Sequence, residues 1–331
     1  MTSRNPSTSH VVDDALTAAL RLAFVPGVGP RMHKELLSAF GSPAAVLSAP
    51  ASDLLELPGV GPKLIRRILG ARTDVEVERE IEICRSNGIS ILHEGQAEYP
   101  RILYEIPDPP GVVFVLGELL PLDGMAIAIV GTRHATHYGK KQAHRLASGL
   151  ARAGMTIVSG LARGIDAAAH RGALEAGGRT IAVTASGVLN IYPPEHKELA
   201  YEITCSGALI SENSARATPK SGMFPQRNRI ITGLSLGVIV VEAASRSGAL
   251  ISAWHAMDQK REVFAVPGRI DSRASRGCHA LLREGAKLVE SPDDVLEELD
   301  LPLVYKGKTY ILAKAGDVRG IISPKGSQKC A

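Results

Sequence analysis

Apolar residues recur along this chain in three rhythms, and each rhythm marks a stretch with its own architecture. Over residues 11–72 they fall three and four apart, the spacing of amphipathic helices. Two turns interrupt these helices in near repetition: Phe24 to Arg31 reads FVPGVGPR, and Leu57 to Arg66 reads LPGVGPKLIR. In each, Gly-Val-Gly lets the chain reverse, and the proline suits the first turn of the next helix. The pattern predicts a small all-α helix-hairpin-helix (SAM-like) domain over 11–75. Free amides at the second hairpin, by Gly59 and Gly61, with the charge of Lys63 and Arg66, make these four residues candidate contacts to a nucleic-acid backbone. Packing or protein contact would account for the same pattern.

From Glu76 to Gly117 the rhythm loosens into one amphipathic helix, a strand near 89–92, the helix-stopping Pro109-Pro110 and a strand over 112–116. Beyond Met125 short continuous apolar runs take over, near 125–130, 155–158, 179–184, 208–210, 237–241, 262–266 and 286–289. Helical stretches such as 140–153, 165–175, 195–203 and 250–258 separate them. Continuous β-branched strands between helices imply a parallel sheet covered on both faces. The fold class expected over 76–298 is therefore α/β, a doubly wound, mainly parallel sheet. The polar residues 1–10 read as a disordered start. Residues 299–331, which beyond Asp300 carry Lys306, Lys308, Lys314, Arg319, Lys325 and Lys329 against Asp317, read as a short basic tail.

Composition narrows the partners. The chain has 331 residues, and its 38 Lys+Arg against 34 Asp+Glu leave a net charge of only +4, so any nucleic-acid binding must come from local clusters. Cys84, Cys205, Cys278 and Cys330 show no metal-ligand or disulfide spacing. No apolar run spans a bilayer and no secretory signal opens the chain, so a cytoplasmic protein without cofactor, metal or membrane partner is expected.

In open α/β sheets ligands bind beyond the carboxyl ends of the strands. There the chain sets glycine beside hydroxyls or arginine: Gly131, Thr132 and Arg133 after the first strand; Ser159, Gly160, Arg163 and Gly164 after the second; Ser247 and Gly248 after a later one. Amides and guanidinium groups so placed make a phosphate-binding rim. The stretch MFPQRNRIITGLS adds Arg227, Asn228 and Arg229, whose planar forks suit phosphate and base edges, with Phe224 as a stacking face. The arginines could instead cap a helix and pair with carboxylates while Phe224 fills core. Neither a dinucleotide fingerprint nor a P-loop occurs, and no nucleophile has its base. Asp166 reads as a cap on helix amides, and Glu242 is open to either a structural or a chemical role.

The ordered motifs GTR (131–133), SGLARGID (159–166), SGV with IYPPEH (186–196), ISE (210–212), FPQRNRIITGLS (224–235), VIVVEAASRSGALISA (238–253), REVFAVPG (261–268) and GCHALLREGAKLV (277–289) closely resemble the DNA-processing protein A (DprA/Smf) family over about residues 80–298. The resemblance implies an extended Rossmann-like core and a non-enzymatic, cytoplasmic single-stranded DNA-binding protein of natural transformation. Such a protein protects incoming DNA, helps load the recombinase RecA and dimerises through the core. It maps the DNA pocket onto Gly131 to Arg133, Ser159 to Gly164 and Phe224 to Arg229, with Lys220 as the basic residue before the Phe-Pro pair. Many members end in a winged helix, for which residues 299–331 are too short. The alternative is a phosphoribohydrolase-like enzyme acting on nucleotides, but VEAASRSGALISA lacks that class's double glycine and following acid. A third reading is a protein-interaction scaffold.

Overall fold

The computed structural model describes residues 14–73 and 76–300, and the backbone of two further strands that pair antiparallel, Leu303–Tyr305 with Lys308–Tyr310. The expected disordered start and the tail's lysine side chains lie outside the described residues. The chain forms two compact units. One takes residues up to Leu116 with Ser186–Asn190 and Ile210–Thr218, and the other takes Gly117–Ala185, Ile191–Leu209 and the remainder from Pro219.

The first unit opens with five helices: α1 (Asp14–Ala23), α2 (Pro30–Phe40), α3 (Pro43–Ser48), α4 (Ala51–Leu55) and α5 (Pro62–Gly70). Both Gly-Val-Gly turns sit where expected, with Pro30 and Pro62 opening α2 and α5. The two hairpins pack reciprocally. Gly59, at φ +81°, faces Met32 of α2, and Arg67 of α5 donates to the Pro26 carbonyl of the first turn at 2.8 Å. Buried Leu22, Leu36, Val46, Leu54 and Ile68 fill the space between them. Then follow α6 (Glu76–Ser86), β1 (Ile89–His93), α7 (Arg101–Tyr104) and β2 (Val112–Gly117), with β1 antiparallel to β2.

This lead-in belongs with the helices in compactness, so the units divide after Leu116, whereas the sequence pattern changes at 75. The contacts explain why. Arg21 pairs with Glu78 at 2.6 Å, Phe24 stacks on Phe114 with centroids 6.3 Å apart, and Glu80 accepts from the Ala215 amide at 2.5 Å.

The second unit alternates β3 (Ala126–Val130), α8 (His137–Arg152), β4 (Thr156–Ser159), α9 (Ile165–Glu175), β5 (Thr180–Val183), α10 (Lys197–Ser206), β6 (Ala208–Ser211), α11 (Met223–Gly233), β7 (Gly237–Val240), α12 (Gly248–Asp258), β8 (Glu262–Ala265), α13 (Arg276–Arg283), β9 (Lys287–Leu288) and α14 (Pro292–Glu298). Its strands pair in parallel in the order β5-β4-β3-β7-β8-β9. The doubly wound, mainly parallel expectation is met. Winding proceeds outward from β3 through β4 and β5 on one side, and from β7 through β8 and β9 on the other. The order therefore reverses between β3 and β7, the place where such sheets open a crevice at their carboxyl edge.

One polar knot ties β4 to the segment before β3. Asp123 is buried, takes both arms of the Arg179 guanidinium at 2.8 and 2.9 Å, and also accepts from Thr156 Oγ1 at 2.7 Å and the Leu120 amide at 2.8 Å. Removing the carboxylate leaves four donors short of an acceptor. Asp123→Ala should lower the unfolding free energy by about 2–4 kcal/mol in urea titration, discounted from a fully buried pair because Arg179 is partly exposed. A loss under about 0.5 kcal/mol, the range of ordinary surface substitutions, would show the knot to be incidental.

Candidate nucleic-acid interface

A groove of about 700 Å³ opens at the carboxyl ends of β3, β4 and β7, at the reversal of strand order. Its walls come from the β3–α8 connection (Gly131 to His134), the β4–α9 turn (Ala162, Asp166), the amino-terminal half of α11 and the start of α12 (Ser247 to Ser252).

The MFPQRNRIITGLS stretch is a helix, α11, with Pro225 in its first turn, where a missing amide is harmless. Helical spacing sorts its side chains. Phe224, Arg227, Asn228 and Ile231 share one face and line the groove, while Arg229 lies about 200° round from Arg227. Arg229 is buried at 2% exposure and is absent from the groove's walls. The expectation that Arg227 and Arg229 grip the same ligand therefore needs correcting: the two point to opposite sides of one helix.

At the rim, the Arg133 guanidinium sits 5.0 Å above the centre of the Phe224 ring, and Tyr192 meets the same ring edge-on at 5.6 Å. A cation and two aromatic rings thus line one lip. At the floor, Arg227 is 4% exposed, and its Nε and Nη1 meet no hydrogen-bond acceptor among the described residues. Burial pulls its pKa down to about 10, the nearby Asp166 carboxylate holds it up, and Arg133 lowers it further. Asp166 shows the reciprocal balance: burial raises its pKa, while Arg227 and the amides of Ala162 and Gly160 pull it back.

Asp166 caps backbone amides, as expected of it. Its Oδ2 accepts from Gly160 N at 3.1 Å and Ala162 N at 3.3 Å. The Gly160 amide, expected to hold phosphate, is thereby occupied, which corrects that part of the expectation. Ser159 is buried and donates to the Ile129 carbonyl at 2.6 Å, and Arg163 pairs with Glu195 at the surface. Neither Ser159, Gly160, Arg163 nor Gly164 lines the groove. The turn shapes the floor instead. A Cβ at Gly160 would collide with the Arg227 guanidinium, and Gly164, at φ +81°, passes against the carbonyls of Thr132 and Arg133.

The structure gathers Gly131, Thr132, Arg133, Phe224, Arg227, Asn228, Ser247 and Gly248 of the expected residues round one space. Ser247 caps α12 by accepting from Ala249 N at 3.3 Å, and Asn228 Nδ2 lies 3.4 Å from the Gly248 carbonyl. Lys220 is exposed between two lining residues, Pro219 and Ser221, without lining the groove itself. Gly59, Gly61, Lys63 and Arg66 belong to the helical unit; Gly61 caps α5 with open space beside it, and Lys63 and Arg66 are exposed. Sequence reasoning missed Tyr192 and His134, although an aromatic before Pro193-Pro194 was a readable signal for the first.

Glu242, left open by the sequence, is 4% exposed and fixed by Thr136, whose amide and hydroxyl donate to it at 2.9 and 2.6 Å. It anchors the start of α8. Among the described residues no cluster of His, Cys, Asp and Glu could hold a metal, and no helix is long and apolar enough to cross a membrane.

These features define a class: a Rossmann-like α/β protein with a cationic, aromatic-lipped groove at its topological switch point, preceded by tandem helix-hairpin-helix turns. A family model for DNA recombination-mediator protein A matches residues 90–300, and one for a SAM-like helix-hairpin-helix tandem matches residues 19–71. The chain belongs to the DNA recombination-mediator protein A family. Protein Smf of Synechocystis is 38% identical to it over 289 residues, covering 86% of this chain and 73% of the relative. The crystal structure of DNA processing protein A from Streptococcus pneumoniae superposes with a TM-score of 0.75 at 35% identity, covering 85% of this chain and 97% of that one. A structure of the Helicobacter pylori DNA processing protein A, described for its single-stranded DNA binding mode, gives 0.58 at 32% identity over 64% of this chain and 95% of that one.

Beneath the groove, His170 is fully buried and pairs with Thr180 Oγ1 at 2.7 Å. The Thr180 hydroxyl gives its proton to the Ile157 carbonyl, so His170 Nδ1–H is the donor and Nε2 is bare. Burial, then His196 and Arg227, push its pKa from 6.5 down to about 3. The unfolded chain therefore binds a proton that the folded chain refuses between those values, and stability falls as pH falls through that window. His170→Gln should flatten the decline of unfolding free energy between pH 6.5 and 4.5, where a fully refused proton contributes about 1.4 kcal/mol per pH unit. Equal slopes in variant and parent would refute it.

Proposed function

We propose that this protein binds single-stranded DNA in the groove at the β3–β7 reversal and acts, without catalysis, in DNA processing during natural transformation. The observation that carries the reading is the vertical arrangement of the groove: a buried guanidinium whose Nε and Nη1, shielded from solvent, meet no acceptor among the described residues, below a cation and two aromatic rings at the lip. Phosphodiester oxygens in the groove would balance the Arg227 charge, and a base would stack within the Arg133, Phe224 and Tyr192 lip. Unpaired strands fit this geometry because their bases are free to stack. The relatives' names, and the single-stranded DNA binding described for the Helicobacter pylori protein, support the same assignment.

The finer role we infer is protection of incoming strands and help in loading a RecA-type recombinase, by a cytoplasmic homodimer formed through the α/β unit. The two hairpin turns offer Gly59, Gly61, Lys63 and Arg66 as secondary backbone contacts. Arg163 and Lys220, exposed near the groove without lining it, would add charge rather than contact at the floor. A nucleotide-cleaving enzyme is the weaker reading, because the carboxylates best placed for chemistry, Asp166 and Glu242, are already engaged by backbone amides and Thr136.

Arg133→Ala should weaken binding of an oligothymidylate several-fold and reduce the salt slope by about one phosphate contact, roughly 0.7 in log–log units for a single strand. Arg229→Ala should instead lower thermal stability and leave the salt slope of the folded protein unchanged. Fluorescence anisotropy at several salt concentrations checks both. An unchanged slope for Arg133→Ala, or a lowered one for Arg229→Ala, would reject the assignment of the groove.

A further inference from the structure

A second cavity, of about 660 Å³, opens at the same carboxyl edge of the sheet. It lies on the other stretch of the β3–α8 connection: Gly131 to His134 line the first groove, and Thr136, His137 and Tyr138 line the second. The far wall is the loop after β8, Pro267 to Ser275. Four chain steps lead from Arg133 to His137, so these two residues are at most about 14 Å apart. That is a span of a few nucleotides.

Three features suit the second cavity to a strand. Tyr138 presents a 48% exposed ring, and its hydroxyl donates to the Pro267 carbonyl at 3.1 Å, which fixes the ring's edge. The loop beneath is itself pinned, with His279 Nε2 3.0 Å from the Gly268 carbonyl and the Ala274 carbonyl accepting from Ala243 N at 2.7 Å. The wall carries a cation: Arg269 lines the cavity, in an exposed pairing with Asp271 at 2.8 Å that water screens. Glu242, the one carboxylate in the wall, is buried and occupied by Thr136.

We propose that this cavity is a second nucleotide subsite, in which a base of the same single strand stacks on Tyr138 while its phosphodiester meets Arg269. The proposal rests on the first groove binding single-stranded DNA. It adds that the strand crosses the His134–Thr136 ridge and is held on both sides of it. Stacking platforms spaced along a cationic track are how proteins hold unpaired strands without reading sequence.

The test is anisotropy titration of the full chain with oligothymidylates of about four and about twelve nucleotides, lengths at the short end and toward the long end of known single-strand site sizes. Tyr138→Ala should weaken binding of the longer strand about fivefold or more while changing the shorter by less than about twofold, and Tyr138→Phe should restore most of the loss. Arg269→Gln serves as an independent variant that leaves the Tyr138 packing intact, and it should show the same dependence on length. Thermal unfolding confirms that each variant is folded. Equal weakening at both lengths, or no weakening at either, overturns the subsite; so does a changed oligomeric mass with equal losses, which assigns the cavity to contact between copies. Arg133→Ala separates this outcome from failure of the first groove: it should weaken both lengths, and if it weakens neither, the groove reading falls, whatever Tyr138 does.

Discussion

A guanidinium cannot lie buried without something to balance it, and the groove is arranged round that constraint at Arg227. Taking an ion out of water costs several kcal/mol even after the protein relaxes. Asp166 answers part of the cost, since its charge holds the Arg227 proton in place. Yet Asp166 has duties of its own, accepting the Gly160 and Ala162 amides that hold the β4–α9 turn shut. One carboxylate thus serves a helix start and a buried cation together. It leaves Nε and Nη1 of Arg227, both shielded from solvent, without an acceptor among the described residues beneath the groove, and negative charge in the groove is the natural complement.

The same constraint explains the glycines. Gly160 has no side chain because the guanidinium lies where a Cβ would stand, and Gly164 takes a left-handed backbone close under the β3–α8 connection. Leu161, between them, also adopts a positive φ, with its side chain buried and its carbonyl 2.8 Å from His196 Nδ1. A non-glycine residue held that way costs on the order of 1 kcal/mol or more, and surrounding contacts must enforce it. The SGLARGID turn is a scaffold for the floor, where its composition had suggested a cradle for the ligand.

Much of this was legible in the residues. Continuous β-branched runs gave the parallel sheet, the repeated Gly-Val-Gly gave the hairpins, and glycine beside arginine after the strands marked the edge of the sheet at which the groove opens. What sequence could not resolve was direction. Arg227 and Arg229 look equivalent in MFPQRNRIITGLS until the segment is known to be helical, and then a two-residue step turns one toward the groove and the other into the interior. The Gly160 amide likewise looks free until Asp166, six residues on, is seen to reach back to it. Tyr192 and Tyr138 take their places for another reason: each joins its cavity through contacts with residues distant in sequence, Phe224 for the first and Pro267 for the second, so that even the aromatic before Pro193 could not be paired from sequence alone.

Glu242 shows how both cavities can be held in shape by one residue. Its backbone carbonyl accepts from Thr132 N at 2.7 Å, and its carboxylate accepts from Thr136 at 2.6 and 2.9 Å. The β3–α8 connection is therefore pegged at two points four residues apart, one beside each cavity. Gly139 completes the fit, because any side chain there would strike the carboxylate. A connection fixed in this way loses little further entropy when a ligand settles against it. This matters for a chain whose net charge is only +4, since general attraction to a polyanion is weak and a few rigidly placed donors and rings must supply the affinity. A buried glutamate beside two cavities that each carry an arginine looks misplaced by charge alone. Its position is explained once its carboxylate is seen to be occupied by Thr136, where it holds the connection that carries Arg133.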